Sequence, residues 1–313
     1  MSHSATSSRL GTDAALAARA TRPGVLSAVT RYYSLTKPGV LYGNVLTTVA
    51  GYLLAAALFE FSWIVFVGVV VGSTLVIASA CVLNNVLDRD IDTLMRRTST
   101  RATVTGAIKG VPATIFSIVL GVLGVALLIL TTNWLVVATG VGGFVVYVWL
   151  YGALSKRKSV HGTLVGSVSG AAPVLGGYIA ASGQFDVAAI AVFLMMFFWQ
   201  MPEFYSIAIY RRDEYARAGV PVITVVRSIR RAVWEIFIYT VLFVAASLLL
   251  PAFGYVGIAY AVVMGGLGLV WIILAVVGLR TRDVEQWSHR MFHGSMWMIL
   301  ALCLMLSVGA LLP

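Results

Sequence analysis

The sequence predicts an all-α membrane protein, a bundle of nine transmembrane helices with its N-terminus in the cytoplasm. The 313 residues are 60% hydrophobic and only 11% charged, with a mean hydropathy of +0.94. A soluble domain carries about 25% charged residues. Nine apolar segments follow one another, each close to the ~20 residues that cross a bilayer. Their expected bounds are 39–59, 62–86, 112–131, 134–152, 163–181, 186–210, 232–252, 255–279 and 293–312.

The basic residues fix the predicted orientation. All 22 lysines and arginines fall in the N-terminal tail and in every second loop after it. The stretches that carry them are the tail up to Lys37 and the loops 87–111, 153–162, 211–231 and 280–292. The positive-inside rule then places these loops in the cytoplasm and Pro313 outside. The net charge of +10 is spread over short loops, which favours membrane topology over a nucleic-acid partner.

The chain divides into a tail and one domain. Residues 1–34 are rich in Ala, Ser, Thr and Arg and lack a sustained apolar run, which favours a disordered cytoplasmic tail over an organelle transit segment. Residues 35–313 form the predicted nine-helix domain. The glycine-rich segments 134–152 and 163–181 are expected inside the bundle, because small residues let helices approach closely in lipid.

The strongest candidate site follows the second span. Asn84, Asp88 and Asp92 recur every four residues, which places them on one face of a helix. Oxygen-bearing side chains in such a row are suitable ligands for Mg²⁺. Arg97 and Arg101 follow within two turns and offer donors for phosphate oxygens. The stretch therefore predicts a site for a lipid that carries a diphosphate.

Further charged groups follow spans four and six. Asp213 and Glu214 again combine acids with nearby arginines, but adjacent residues on a helix point about 100° apart, so their spacing is weaker support for a shared metal. Lys156 and Arg157 are further candidate diphosphate donors. For each of these charged stretches, the simpler interpretation is a solvated loop. Its arginines would then only orient the protein in the membrane, and its acids would balance their charge.

One acid lies inside a span. Glu203 follows Pro202 in the sixth segment, where an ionisable group is costly unless it faces a polar cavity or a partner.

Several stretches resemble the UbiA superfamily of intramembrane prenyltransferases, and within it the protoheme IX farnesyltransferase (heme O synthase) branch. They are Leu35-Thr36-Lys37-Pro38-Gly39, Asn84-Asn85, Asp88-Arg89-Asp90-Ile91-Asp92, Met95-Arg96-Arg97-Thr98, Lys156-Arg157-Lys158-Ser159, Gly170-Ala171-Ala172-Pro173, Trp199-Gln200-Met201-Pro202 and Asp213-Glu214-Tyr215.

The resemblance implies a UbiA-like bundle that transfers the farnesyl group of farnesyl diphosphate to a vinyl group of protoheme IX (haem B), giving haem O. Haem B is then a substrate, and Mg²⁺ is the cofactor. The resemblance favours a bacterial cytoplasmic membrane over a mitochondrial inner membrane, and both stay open. Haem A synthase or terminal oxidase assembly are possible protein partners.

The residue roles that the resemblance implies follow the motifs. Asn84, Asp88, Asp92, Asp213 and Glu214 would be the catalytic and metal-binding group. Arg97, Arg101, Lys156 and Arg157 would bind the diphosphate. Trp199, Glu203 and Tyr205 would line the acceptor pocket.

Three alternatives stay open at the level of the sequence. Glu203 stands where the branch usually carries histidine, which leaves room for a sister prenyltransferase with an aromatic or another tetrapyrrole acceptor. A membrane transporter or lipid-binding protein could use the same inward-facing charges. A structural assembly factor would tolerate loss of the acids.

Overall fold

The computed structural model describes residues 25–313, which fold into helices without strands. In chain order the helices are α1 (Val25–Leu35), α2 (Pro38–Leu58), α3 (Trp63–Leu87), α4 (Arg89–Asp92), α5 (Gly110–Thr131), α6 (Trp134–Val145, continued by a π-helix over Val146–Ser155), α7 (Gly162–Ser182), α8 (Val187–Tyr210), α9 (Arg212–Arg217), α10 (Ile223–Val226), α11 (Ile229–Ser247), α12 (Leu249–Ala252), α13 (Ile258–Gly278) and α14 (Val284–Val308, followed by a 3₁₀ turn over Gly309–Leu311).

Nine stretches of residues 25–313 are long and apolar enough to cross a membrane, which confirms the predicted fold class. Most bounds lie within a few residues of those expected. The last span is the exception, because it begins at Val284 rather than at 293. Asp283 caps this helix by accepting a hydrogen bond from the backbone of Gln286 at 3.0 Å, so its polar first turns extend beyond the apolar stretch.

The start of the domain also differs from the expectation. Val25–Leu35 form a helix, although the composition of residues 1–34 predicts a disordered tail. Asn85 holds the end of this helix, since its side-chain amide donates to the carbonyl of Leu35 at 2.7 Å. Residues 1–24, the rest of the predicted tail, lie outside the described residues.

The helices α7 and α8 occupy the middle of the bundle. α7 packs against α2, α6 and α8, and α8 packs in addition against α11 and α14. The contact between α2 and α7 requires glycine, because a Cβ on Gly51 would overlap the carbonyl of Val174. The prediction that the glycine-rich segment 163–181 is interior is therefore confirmed.

The same prediction is wrong for segment 134–152. Between Trp134 and Ser155 only Val136, Val148 and Gly152 are buried. One side of this span is exposed, and the other side packs on α7 and lines part of a cavity. Gly140 and Gly143 line that cavity, and Gly143 also lies close to Ala172 of α7.

Because the spans alternate in direction, the loops that carry lysine and arginine all lie at one end of the described bundle, here called the charged end. Two of these loops pack together there. Ile91 and Met95 from the first contact Val220 from the second, and Tyr215 and Val222 complete this small apolar cluster.

Candidate active site

A cavity of about 820 Å³ runs from the charged end into the apolar interior. Its walls come from α2, α3, the π-helix and α6, α7, α8 and α14. The charged side chains of the lining are concentrated near the charged end, and the deeper lining is mostly apolar, with a few hydroxyl groups such as those of Ser73 and Thr139. A pocket of this size suits a ligand with a polar head and a long apolar part.

Asn84, Asp88 and Asp92 stand in a row at the mouth of this cavity. They are only 2%, 0% and 3% exposed. The backbone N–H of Asp88 donates to Asn84 and that of Asp92 donates to Asp88, both at 2.9 Å. Helical hydrogen bonding thus continues from α3 into α4, which keeps all three side chains on the cavity side, as their spacing predicts.

Each member of this row is held by a cation. The Lys156 ammonium lies 2.5 Å from Asp88 Oδ2, and the Arg101 guanidinium lies 2.5 Å from Asp92 Oδ2. The Lys37 ammonium donates to Asn84 Oδ1. The mouth therefore combines carboxylates with an opposing set of cations, all lining one cavity.

Lys37 is a site residue that the sequence reasoning assigned only to topology and to a family motif. It lines the cavity and has φ 54° and ψ 70°, the left-handed region that a lysine rarely adopts. Burial, together with the nearby Arg101 and Lys156 charges, lowers its pKa to about 8. In the sequence, only its position directly before Pro38 at the start of a span points to a role in the site.

The π-helix shapes the opposite wall of the mouth. Tyr147 and Tyr151 line the cavity from this segment, and Lys156 follows it directly. The backbone N–H of Lys156 donates to the carbonyl of Tyr151 at 2.8 Å, five residues back. Such wide turns are rare and often occur at functional sites.

The pKa of Lys156 is raised. Burial alone would lower it, but Tyr151 and Asp88 favour the ammonium form more strongly.

Arg157 turns away from the cavity. It forms two hydrogen bonds of 2.7 Å with the exposed carboxylate of Asp90 and one of 2.6 Å with the carbonyl of Leu87. Its hydrogen bonds lower the pKa of Asp90 to about 2. Arg157 thus holds the C-terminal end of α3, and its guanidinium lies 4.0 Å from Asp88 Oδ1. It does not line the cavity, although the sequence predicts it to bind the diphosphate.

The second acidic stretch approaches the first without entering the cavity. Glu214 accepts hydrogen bonds from Arg211 at 3.1 Å and from the backbone N–H of Arg97 at 3.5 Å. Burial opposes the carboxylate form of Glu214, but these hydrogen bonds outweigh it and lower the pKa. Asp213 is exposed and lies outside the cavity lining, because neighbouring residues on α9 point in different directions. Arg97 itself lines the cavity.

Of the three predicted acceptor residues, two line the cavity and one does not. Trp199 and Glu203 line the cavity, and the Trp199 indole donates to the carbonyl of Ser295 at 2.8 Å. The Glu203 carboxyl makes no hydrogen bond or ion pair within residues 25–313. Tyr205 is only 2% exposed and packs on Tyr239 of α11. Tyr205 therefore lies outside the cavity lining, since residues two apart on a helix, such as Glu203 and Tyr205, face roughly opposite sides.

The mouth has the ligand chemistry for a hard divalent cation. The part of the chain that the structure describes holds no group of three or more His, Cys, Asp or Glu side chains gathered for a metal. The row instead offers two carboxylates and one amide. Asp88 Oδ1 is buried and accepts no hydrogen bond, which is costly unless a ligand completes it. An ion that prefers oxygen ligands, such as Mg²⁺, could bind to this Asp88 oxygen.

The fold and the site together define an integral membrane protein whose cavity suits an anionic head group and an apolar tail. Residues 44–309 match the UbiA prenyltransferase family. The chain belongs to the UbiA prenyltransferase family.

Curated relatives agree with this membership. A protein from Marinomonas sp. (strain MWYL1) named protoheme IX farnesyltransferase is 45% identical over 273 residues, which cover 87% of this chain and 92% of the relative. A protein from Pseudomonas fluorescens named protoheme IX farnesyltransferase 2 is 43% identical, covering 90% of this chain and 95% of the relative.

Solved structures share the fold at low identity. A digeranylgeranylglyceryl phosphate synthase has a TM-score of 0.77 at 19% identity, over 90% of this chain and 98% of that one. A UbiA homolog from Archaeoglobus fulgidus bound to DMAPP and Mg²⁺ has a TM-score of 0.65 at 16% identity, over 89% of this chain and 99% of that one.

Proposed function

We propose that this protein transfers the farnesyl group of farnesyl diphosphate to a vinyl group of protohaem IX and so produces haem O. The names of relatives that are 41–45% identical support this activity. The observation that carries it is the row Asn84, Asp88 and Asp92, buried at the mouth of an apolar cavity and surrounded by cations.

Asn84, Asp88 and Asp92 would hold Mg²⁺ at this mouth. When bound, the ion would supply stabilisation of the negative charge on the leaving diphosphate. The free Oδ1 of Asp88 supports the assignment, as does the structural neighbour bound to DMAPP and Mg²⁺. Glu214 would position Arg97 through its main-chain contact. We assign Asp213 no ligand in this geometry.

The cations of the mouth would bind the diphosphate directly. Lys37, Arg101 and Lys156 line the cavity and already form hydrogen bonds with the acidic row. As the C1–O bond of the prenyl diphosphate breaks, its electron pair goes to the diphosphate. Donors placed where that charge develops are worth about 3–4 kcal/mol each.

The apolar wall would protect the allylic cation until the acceptor reaches it. The vinyl carbon of the porphyrin forms the new bond to C1, and the positive charge moves to the adjacent carbon. Water then adds there and loses a proton, which leaves a hydroxyl group on the product. Trp199 and Glu203 would line the acceptor side. No side chain is required as a covalent nucleophile.

The test is the mass of the product. We expect the purified protein in liposomes with Mg²⁺, farnesyl diphosphate and haem B to yield haem that has gained one farnesyl group and one hydroxyl. Chelation of Mg²⁺ should abolish both this product and diphosphate release. Haem of unchanged mass beside a farnesylated phenol would favour the sister activity, and Mg²⁺-independent binding without diphosphate release would favour a transporter or lipid-binding protein.

The setting of this activity is proposed on the same grounds. The relatives are bacterial proteins, which favours the bacterial cytoplasmic membrane. Enzymes that use haem O, such as haem A synthase or an assembling terminal oxidase, are the proposed recipients of the product.

A further inference from the structure

One branch of the cavity runs between α3, α6 and α7. Its lining reaches Ser73 on α3, Val136 and Thr139 on α6, and Gly176 on α7. Gly162 lines the same cavity at the charged end, and Gly176 lies ~21 Å further along α7 at 1.5 Å per residue. This branch therefore extends from the mouth toward the opposite side of the membrane.

The floor of this branch is fixed. Val136 is only 1% exposed. Asn133 caps α6 by accepting a hydrogen bond from the backbone of Val136 at 3.1 Å, and its amide donates to the carbonyl of Ile179 on α7 at 3.1 Å. The two helices that close the branch are thus tied together at its end.

Two adjacent glycines on α7 have different surroundings at this depth. A Cβ on Gly177 would overlap the carbonyl of Thr48, so Gly177 is needed where α7 packs on α2. A Cβ on Gly176 would meet only Thr139 Cγ2, at 3.9 Å. Packing therefore does not require glycine at 176, yet a larger side chain there would extend into the lined space.

We infer that the absent side chain of Gly176, opposite Thr139, sets the longest isoprenoid tail that the cavity accepts. The inference rests on the proposed function, because the diphosphate head at the row of Asn84, Asp88 and Asp92 fixes where the tail begins. The end of the tail occupies the gap between Thr139 and Gly176. A branched side chain at 176 fills that gap and shortens the accepted tail by about one five-carbon unit.

The test compares diphosphate release from prenyl diphosphates of ten, fifteen and twenty carbons. In Gly176→Val we expect kcat/KM for the fifteen-carbon substrate to fall at least about tenfold relative to the ten-carbon substrate, since even one methylene group that does not fit can change discrimination by about 10–200-fold. Gly142→Val is the matched control. Gly142 is an exposed glycine on α6 that lies outside the cavity and has no neighbour within 4 Å, so its substrate ratios should equal those of the wild type.

A second variant tests the same gap in the opposite direction. Thr139→Ala removes the side chain opposite Gly176 and should raise the use of the twenty-carbon substrate relative to the fifteen-carbon one by about tenfold. If the Gly176→Val protein is too unstable to be purified, the Thr139→Ala variant alone decides the question. Substrate ratios within twofold of the wild type in Thr139→Ala, or in a folded Gly176→Val, would overturn the inference alone. A wild type that releases diphosphate from none of the three substrates would overturn the proposed function and this inference with it.

Discussion

Two aspartates two residues apart have opposite surroundings, which allows a matched test of the proposed site. Asp88 is fully buried against Lys156, whereas the Asp90 side chain is 67% exposed and pairs with Arg157. We expect Asp88→Asn to reduce diphosphate release at least about 100-fold, because it removes an oxygen ligand and leaves Lys156 without its counter-charge. Asp90→Asn should stay within about threefold of the wild type, since exposed ion pairs contribute about 1 kcal/mol or less. Equal losses would contradict the placement of the site at Asp88.

Lys37 offers a test in which stability and binding change in different directions. Its left-handed conformation costs a non-glycine residue about 1–2 kcal/mol, and burial disfavours its charge. Lys37→Gly should therefore leave the thermal midpoint unchanged or higher, while the KM for prenyl diphosphate rises about tenfold. The control is Lys109→Gly, an exposed lysine that precedes α5 with φ −72°. A fall in midpoint without a change in KM would identify Lys37 as a structural residue.

For single residues, the sequence predicts the positions that depend only on helical spacing. Asn84, Asp88 and Asp92 face one cavity because one run of helical hydrogen bonds carries all three. Asp213 and Arg157 could not be placed from spacing, since their directions depend on how short loops pack. Lys37 was missed for the same reason, because only the turn before α2 brings its ammonium to Asn84. Tyr205 could have been placed from spacing, because it lies two residues from Glu203 on one helix. The chemical roles of these residues stay predictions.

Among the helices, the π-helix is the element that the sequence did not reveal. Hydrophobic periodicity assumes 3.6 residues per turn, and a wide turn leaves no distinct composition. The glycines of the same span suggest close packing, whereas Gly140 and Gly143 line a cavity, and composition alone does not separate these two uses.

Deleting one residue tests whether the wide turn positions Lys156. Leu154 is 52% exposed within the π-helix, so its loss removes little packing. The deletion closes the wide turn and lets the segment return to α-helical geometry, which changes the direction of Lys156 relative to Tyr147. We expect diphosphate release to fall to background while the protein still inserts into membranes. Leu154→Ala keeps the register and should retain activity; similar losses in both variants would count against a positioning role for the turn.

Across residues 25–313, the sequence predicts the nine spans well because bilayer thickness dictates their length and apolar character. The ninth span begins earlier than expected because a capped helix can extend past its apolar core. The orientation of the bundle stays a prediction from the positive-inside rule.

Cysteine labelling tests that orientation. The two native cysteines, Cys81 and Cys303, are buried and should give little background. We expect Gln184→Cys, in a loop without basic residues, to react with a membrane-impermeant maleimide in intact cells. Thr100→Cys, an exposed position at the charged end, should react only after the cells are made permeable. The reverse pattern would place the charged end outside.

The internal ion pairs at the mouth have a consequence for how two ligands would bind. A divalent cation arriving alone must compete with the Lys156 ammonium for Asp88, and a phosphate arriving alone must compete with the Asp88 carboxylate for Lys156. When both arrive, each ligand takes the partner that the other has released. Binding of either one should therefore strengthen binding of the other by the same factor, so that titration of magnesium in the absence of lipid substrate would understate its affinity during turnover.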